Sequence, residues 1–187
     1  MAKSKVAPPA VRPQPPWRAI LRVAYCVAVL GCLVTSNALA DTKELERETL
    51  KGLRGVGVVV EDPGAYASSA GLTISMLRSD VEPRLRQAGI AVLSEAERDS
   101  TPGWPYLYVA VTVGPLPARL SGHLYSVEVQ LHQQVTLVRA PTVKTRAVTW
   151  NTSSIGVAES PSETIRRSLR DRVDQFINAY RDVNPKR

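Results

Sequence analysis

Few residues of this 187-residue chain are of types that do chemistry, so their spacing decides what they can do. There are two histidines, His123 and His132. A metal site would need them to converge with carboxylates. His132 falls on the polar side of an alternating stretch and His123 in a loop, so both are expected in solvent, holding no metal. A Ser-His-Asp triad assembles only in space, but its Gly-x-Ser-x-Gly elbow is absent from the sequence. Gly52-x-x-Gly55-x-Gly57 resembles a phosphate loop in composition only. Such a loop must follow a strand and open a helix, where free N–H groups meet the anion. These glycines precede a strand and read as its flexible entry.

Glu61-Asp62 ends that strand, a favoured binding position in parallel sheets. Acidic residues before Pro63-Gly64 also start a turn, and the turn is the preferred reading. Trp104, Tyr106, Tyr108 and Trp150 would make an aromatic binding surface, although half-buried sheet aromatics account for them more simply. Asn151-Thr152-Ser153 would be a glycosylation acceptor only in a eukaryotic secreted chain. No catalytic residue, metal ligand or cofactor is expected.

The elements that must position these residues follow from hydrophobic period. Val56 to Val60 is a short β-branched run closed by Glu61-Asp62-Pro63-Gly64, a buried strand. After Thr73, Ile74, Leu77, Val81, Leu85 and Ala88 share one helical face, and Gly89 stands where a helix ends. Pro83 inside the pattern is expected to kink or split this helix. Ile90 to Leu93 is a second strand, giving a βαβ unit with parallel pairing. A short helix fits Glu95 to Asp99. Tyr106 to Val113 is a strand pointing Leu107, Val109, Val111 and Val113 inward, and Gly114 to His123 is a loop. Tyr125 to Val138 alternates, with Gln133 breaking the inward row at an expected bulge. Val143 to Trp150 is a strand with Val148 and Trp150 on one face, and 151–158 either extends it or turns back. Ser160-Pro161-Ser162-Glu163 offers a cap, a helix-starting proline and a capping box for a final helix. Ile165, Leu169, Val173, Phe176 and Tyr180 line its apolar face, and Asn184-Pro185 stops it. The fold class is α/β (α+β): a two-layer β-α-β-β-β-β-α sandwich with a mixed sheet and a long C-terminal helix.

Charge is unevenly spread. Residues 1–40 carry Lys3, Lys5, Arg12, Arg18 and Arg22, no Asp or Glu, and an apolar run from Val23 to Val34. Ala38-Leu39-Ala40 then precedes Asp41, the small-residue pattern of a secretory cleavage site. The apolar run is shorter than the roughly 20 residues a membrane span needs. A signal peptide over 1–40, cut between Ala40 and Asp41, leaves a single domain over 41–187, with 41–55 a possible lead-in. Alternatives are an uncleaved anchor, a lipid anchor at Cys32 in Val29-Leu30-Gly31-Cys32, or a mitochondrial transit peptide. Each fits less well: Leu30 is a poor neighbour for a lipidation site, and the solid apolar block is not amphipathic. Cleavage removes five of the 24 basic residues and none of the 17 acidic ones, so the net charge falls from +7 to +2. A near-neutral domain lacks the electrostatic footprint of a nucleic-acid binder. Cys26 and Cys32 leave with the leader, so disulfides and cysteine-held metal are excluded from the processed domain.

The segments Ala88–Leu93, Pro105–Val109, Ala147–Trp150 and Phe176–Tyr180, closing on Val183-Asn184-Pro185, resemble a family of small exported bacterial proteins without an assigned activity. The resemblance covers most of 52–186. It implies a periplasmic envelope protein and supplies no active site; Pro83 departs from the uninterrupted helix it implies. The functional expectation is a non-catalytic accessory module that binds another envelope protein through a sheet edge, the 114–123 loop or the C-terminal helix. A small periplasmic hydrolase or ligand-binding protein is the alternative. A pocket of converging carboxylates would favour the second, and a flat or edge-exposed apolar surface the first.

Overall fold

The computed structural model describes residues 42–117 and 120–185. The leader, its cleavage residues Ala38, Ala40 and Asp41, and both cysteines lie outside the described residues. The chain divides into Met1–Lys43 and Glu44–Arg187, and the second unit contains the sheet. In chain order come helix α1 (42–48), β1 (Gly55–Val60), α2 (Gly64–Ser69), α3 (Ile74–Gln87), β2 (Ala91–Val92), α4 (Glu95–Ser100), β3 (Tyr106–Pro115), β4 (His123–Leu137), β5 (Ala140–Ala158) and α5 (Pro161–Val183). The sheet order is β2-β1-β3-β4-β5. β1 is parallel to both β2 and β3, whereas β3, β4 and β5 are antiparallel. This is the expected mixed sheet with its long C-terminal helix. Among the described residues, no helix is long and apolar enough to cross a membrane.

Helix α3 starts where Thr73 Oγ1 accepts the Met76 N–H at 3.2 Å. It ends in a left-handed Gly89 (φ 82°), with Gly89 N donating to Arg86 O and Ile90 N to Leu85 O. Those two bonds satisfy carbonyls that a helix end would otherwise leave open. Pro83 does not split the helix, which runs unbroken through it. Pro83 is exposed, so water reaches the carbonyl it leaves unbonded, while Leu77, Val81 and Leu85 hold the buried face.

One face of the sheet is buried under α3 and α5. Its inward residues are the expected alternates of β3 (Leu107, Val109, Val111 and Val113) together with Val127, Val129 and Leu131 of β4. Ile165, Leu169, Val173 and Phe176 pack down on them, and Trp150 meets Phe176 edge-on at 5.3 Å. An ion cluster joins the two helices: Arg166 grips Asp80 in a fork at 2.7 and 2.9 Å, and Arg170 lies 3.5 Å from the same carboxylate. The end of α5 is tied to the segment before β1. Asn184 Nδ2 donates to Leu50 O, its Oδ1 accepts from Gly52 N, and Tyr180 Oη donates to Leu53 O.

Three expectations change, and one open choice is settled. Ser160 makes no side-chain cap bond, and Glu163 accepts from Arg170 at 2.7 Å, so α5 begins without a capping box. A capping box does form at α4, between Ser94 and Glu97. Strand β5 is one continuous strand through 140–158, so 151–158 extends it, the first of its two readings. The bulge lies on β5: Leu131 pairs with Trp150 but His132 with Val148, leaving Thr149 as the extra residue. It turns Val148 and Trp150 to opposite faces, contrary to their expected shared face.

Candidate functional site

The other face of the sheet is the one where polar and aromatic side chains meet. Period two along β4 puts Glu128, Gln130 and His132 on it in a row. Register brings Tyr106 opposite His132 and Tyr108 opposite Gln130. His132 stacks on Tyr106 with ring centroids 4.8 Å apart and meets the edge of Tyr108 at 5.5 Å. Gln130 Nε2 donates to Glu128 Oε1 at 2.7 Å, which turns the amide oxygen toward His132. That oxygen lies 2.8 Å from His132 Nε2, so Nε2 carries the proton and donates to it. Beside this row, Tyr108 Oη donates to Glu61 Oε2 at 2.5 Å.

The charges around these groups set their protonation. Burial under the stack lowers the pKa of His132, the nearby Arg146 lowers it further, and Glu128 opposes both. His132 is therefore neutral at neutral pH. The bond to Glu61 raises the Tyr108 pKa to about 12. Arg146 sits 5.3 Å over the Tyr106 ring and Arg98 6.0 Å from it. Arg98 reaches this place because Gly57 has no side chain: a Cβ there would lie 3.1 Å from Arg98 Cδ. Gly55 is needed for a different approach, since a Cβ would stand 2.6 Å from the Ala91 carbonyl oxygen between β1 and β2. Gly55 and Gly57 thus lie within β1 and serve its packing, rather than forming the flexible entry expected.

Several sequence candidates land elsewhere. Glu61-Asp62 forms the expected turn. Asp62 Oδ1 accepts the Gly64 N–H and closes the turn, while Glu61 joins the polar row through Tyr108. Trp150 leaves the aromatic group for the core, and Trp104 is exposed at the turn before β3. The histidines are not simply solvated, because each has a side-chain partner. His123 Nδ1 lies 2.8 Å from Tyr66 Oη, at the far end of β4 from His132. The missed residues were Glu128 and Gln130, whose only sequence signal is their place in the outward row with His132.

At that far end the same face is apolar. Leu124 pairs with Val157 and Ser126 with Ile155. Their relative exposures are 43% for Leu124, 56% for Val157 and 76% for Ile155. The clefts are shallow and their acids are occupied. One of them, about 460 Å³, lies between α3, β1 and the start of α4. Its Glu82 is bridged to Arg78 and Arg86, and its Glu97 to Ser94. Bonding to Ser94 holds Glu97 below the usual carboxylate range. Among the described residues, no cluster of three or more His, Cys, Asp or Glu is placed to hold a metal. The arrangement offers oriented donors, acceptors and apolar contacts.

No family model matches the chain. No curated protein matches it. Among solved structures it is similar to a minor lipoprotein from Acinetobacter baumannii, at 11% identity and a TM-score of 0.33 over 67% of this chain and 91% of that one. A likeness that loose carries no argument.

Proposed function

We propose that the chain is a non-catalytic module of the bacterial envelope, exported by its leader, that binds another envelope protein through the sheet face opposite α3 and α5. The supporting observation is that face itself: a fixed row of polar groups at one end and bare Leu124, Ile155 and Val157 at the other. Contiguous apolar side chains left in water mark interaction surfaces. Export rests on the basic and apolar leader and the Ala38-Leu39-Ala40 site. The hydrolase alternative gains little from the glutamates of the α3–β1–α4 cleft, since Glu82 is held by Arg78 and Arg86, Glu95 by Arg98 and Glu97 by Ser94.

A photo-crosslinking residue placed at Ile155 in growing cells tests the reading, with Arg78 on α3 as the control position. The expected result is one discrete adduct from position 155, reproduced from the identified partner, and none from position 78. Equal labelling from both positions, or none from 155, would refute the docking face. Intact mass of the exported protein tests the leader separately, and the expected species begins at Asp41.

A further inference from the structure

Past the pair Tyr106–His132, β3 stops and β4 and β5 continue alone as a two-stranded arm, 133–137 against 140–147. Val138 and Arg139 form its turn, and no residue from 132 to 149 is buried. A hairpin without a covering layer is marginal in water, so this composition is not explained by a core. It is also one-sided. Arg139, Lys144 and Arg146 are its charges, with no Asp or Glu between Leu131 and Trp150. All three are exposed and have no ion-pair partner among the described residues. Arg84, Arg86, Arg166 and Arg170 on the helices are paired but Arg167, Arg172 and Arg181 of α5 are not, so what sets the arm apart is its lack of any acid. Next to the unpaired cations, Val138 at the tip is 97% exposed and Val143 46%.

We infer that this arm docks on an anionic lipid surface, with Val138 entering the headgroup layer and Arg139, Lys144 and Arg146 meeting lipid phosphates. Cations near an anionic bilayer each add attraction, and apolar side chains beside them gain by leaving water. An acidic protein or nucleic acid would match the cations but would leave the tip valine without a role. The arm's base is held to the body, since Gln134 N donates to Gly103 O at 2.7 Å and Arg146 lies against Tyr106. The apolar patch at Leu124, Ile155 and Val157 lies at the other end of β5, so this surface is separate from the proposed protein-binding face.

The test is vesicle co-sedimentation of the exported chain, every variant sharing one N-terminus verified by intact mass and retaining the wild-type circular dichroism. Vesicles are phosphatidylcholine alone or with phosphatidylglycerol. The expected outcome is binding only to vesicles containing phosphatidylglycerol, weakening as salt rises. Arg139→Glu with Lys144→Glu should lower the partition coefficient by more than roughly tenfold. Val138→Asp should lower it by roughly threefold or more. Arg54→Glu with Arg167→Glu, the same change in net charge on the body, should leave it within about twofold. Three results would overturn the inference: no preference for the anionic vesicles, equal losses from the two double variants, or retention on heparin or polyaspartate without vesicle binding.

Discussion

Strands β4 and β5 are two different structures along their length. Over 123–131 and 150–158 the ribbon lies under α5, with Val127, Val129, Leu131 and Trp150 buried and an ordered row of side chains outside. Over 132–148 the same ladder continues with nothing buried. The change falls at one residue, Thr149, whose bulge rotates β5 so that Trp150 faces the core and Val148 the solvent. Pairing and burial are therefore separate properties. Backbone hydrogen bonds extend a strand as far as a partner continues, whereas burial ends where the helical layer does.

Leucines on the inward row of both halves put that difference to the largest test. Leu131→Ala removes a fully buried side chain beneath α5 and should cost about 2–5 kcal/mol. Leu137→Ala, near the arm's turn, should cost less than about 1 kcal/mol. Urea denaturation measures both, and similar costs would mean that the arm has a core of its own. Asp80→Ala probes what holds the layer over the body half. The Asp80 side chain is 8% exposed but Arg166 is 28% exposed. Arg166 can rehydrate, so the expected cost is about 2 kcal/mol, below the ~3–5 of a fully enclosed pair. Amide exchange should speed up in α3 and α5 while the arm's rates stay unchanged. Acceleration in the arm as well would show the two halves to be coupled.

Legibility in the sequence follows the same division. Where burial enforces period, residues announce their places: Leu107 to Val113, Val127 to Leu131 and Ile165 to Phe176 all face the core as their spacing implied. Gly89 reads correctly because its reason is local, whereas the approach of Gly55 to Ala91 crosses the β1–β2 pair and was not legible. The bulge could not be placed, because alternation on β4 does not show which strand carries the extra residue. The polar row was half visible. Tyr106, Tyr108 and His132 stood out by type, but their junction with Glu61, Glu128 and Gln130 depends on the β1–β3–β4 register, which is set by tertiary pairing. Val148 and Trp150 part faces because of the Thr149 bulge, while the burial of Trp150 agrees with its reading as a sheet aromatic.

Two helix starts give a smaller comparison, between a local rule that operates and one that yields. Ser94→Ala removes a cap bond to Glu97 and should destabilise by about 1 kcal/mol. Ser160→Ala removes none and should change stability by less than about 0.3 kcal/mol. Glu163 is held by Arg170, with its pKa lowered first by that bond, so the tertiary ion cluster takes the residue a capping box would have used. Thermal denaturation of both alanine variants decides the matter, and an equal loss from each would show that Ser160 caps α5 in solution.

The smallest effect tests the boundary between the halves at His132. Its ring belongs to the body through Tyr106 and Gln130, but Arg146 arrives from the arm. Burial first and Arg146 second keep its pKa below the ordinary value near 6.5, so the folded state binds fewer protons there than the unfolded chain. The sign follows: this contribution to stability is present above about pH 6.5 and is lost as pH falls toward the folded pKa. Arg146→Ala removes a cation and uncovers the Tyr106 stack, and both changes favour the imidazolium. An NMR titration of the ring protons should show the His132 pKa rising toward its ordinary value. Lys144→Ala, on the same strand but without a contact to the stack, should leave it unchanged. If both substitutions moved it equally, the arm would act on the body by general field alone; if neither did, Arg146 would not rest on Tyr106 in solution. The expected split makes His132 the point where the exposed arm and the packed body meet electrostatically.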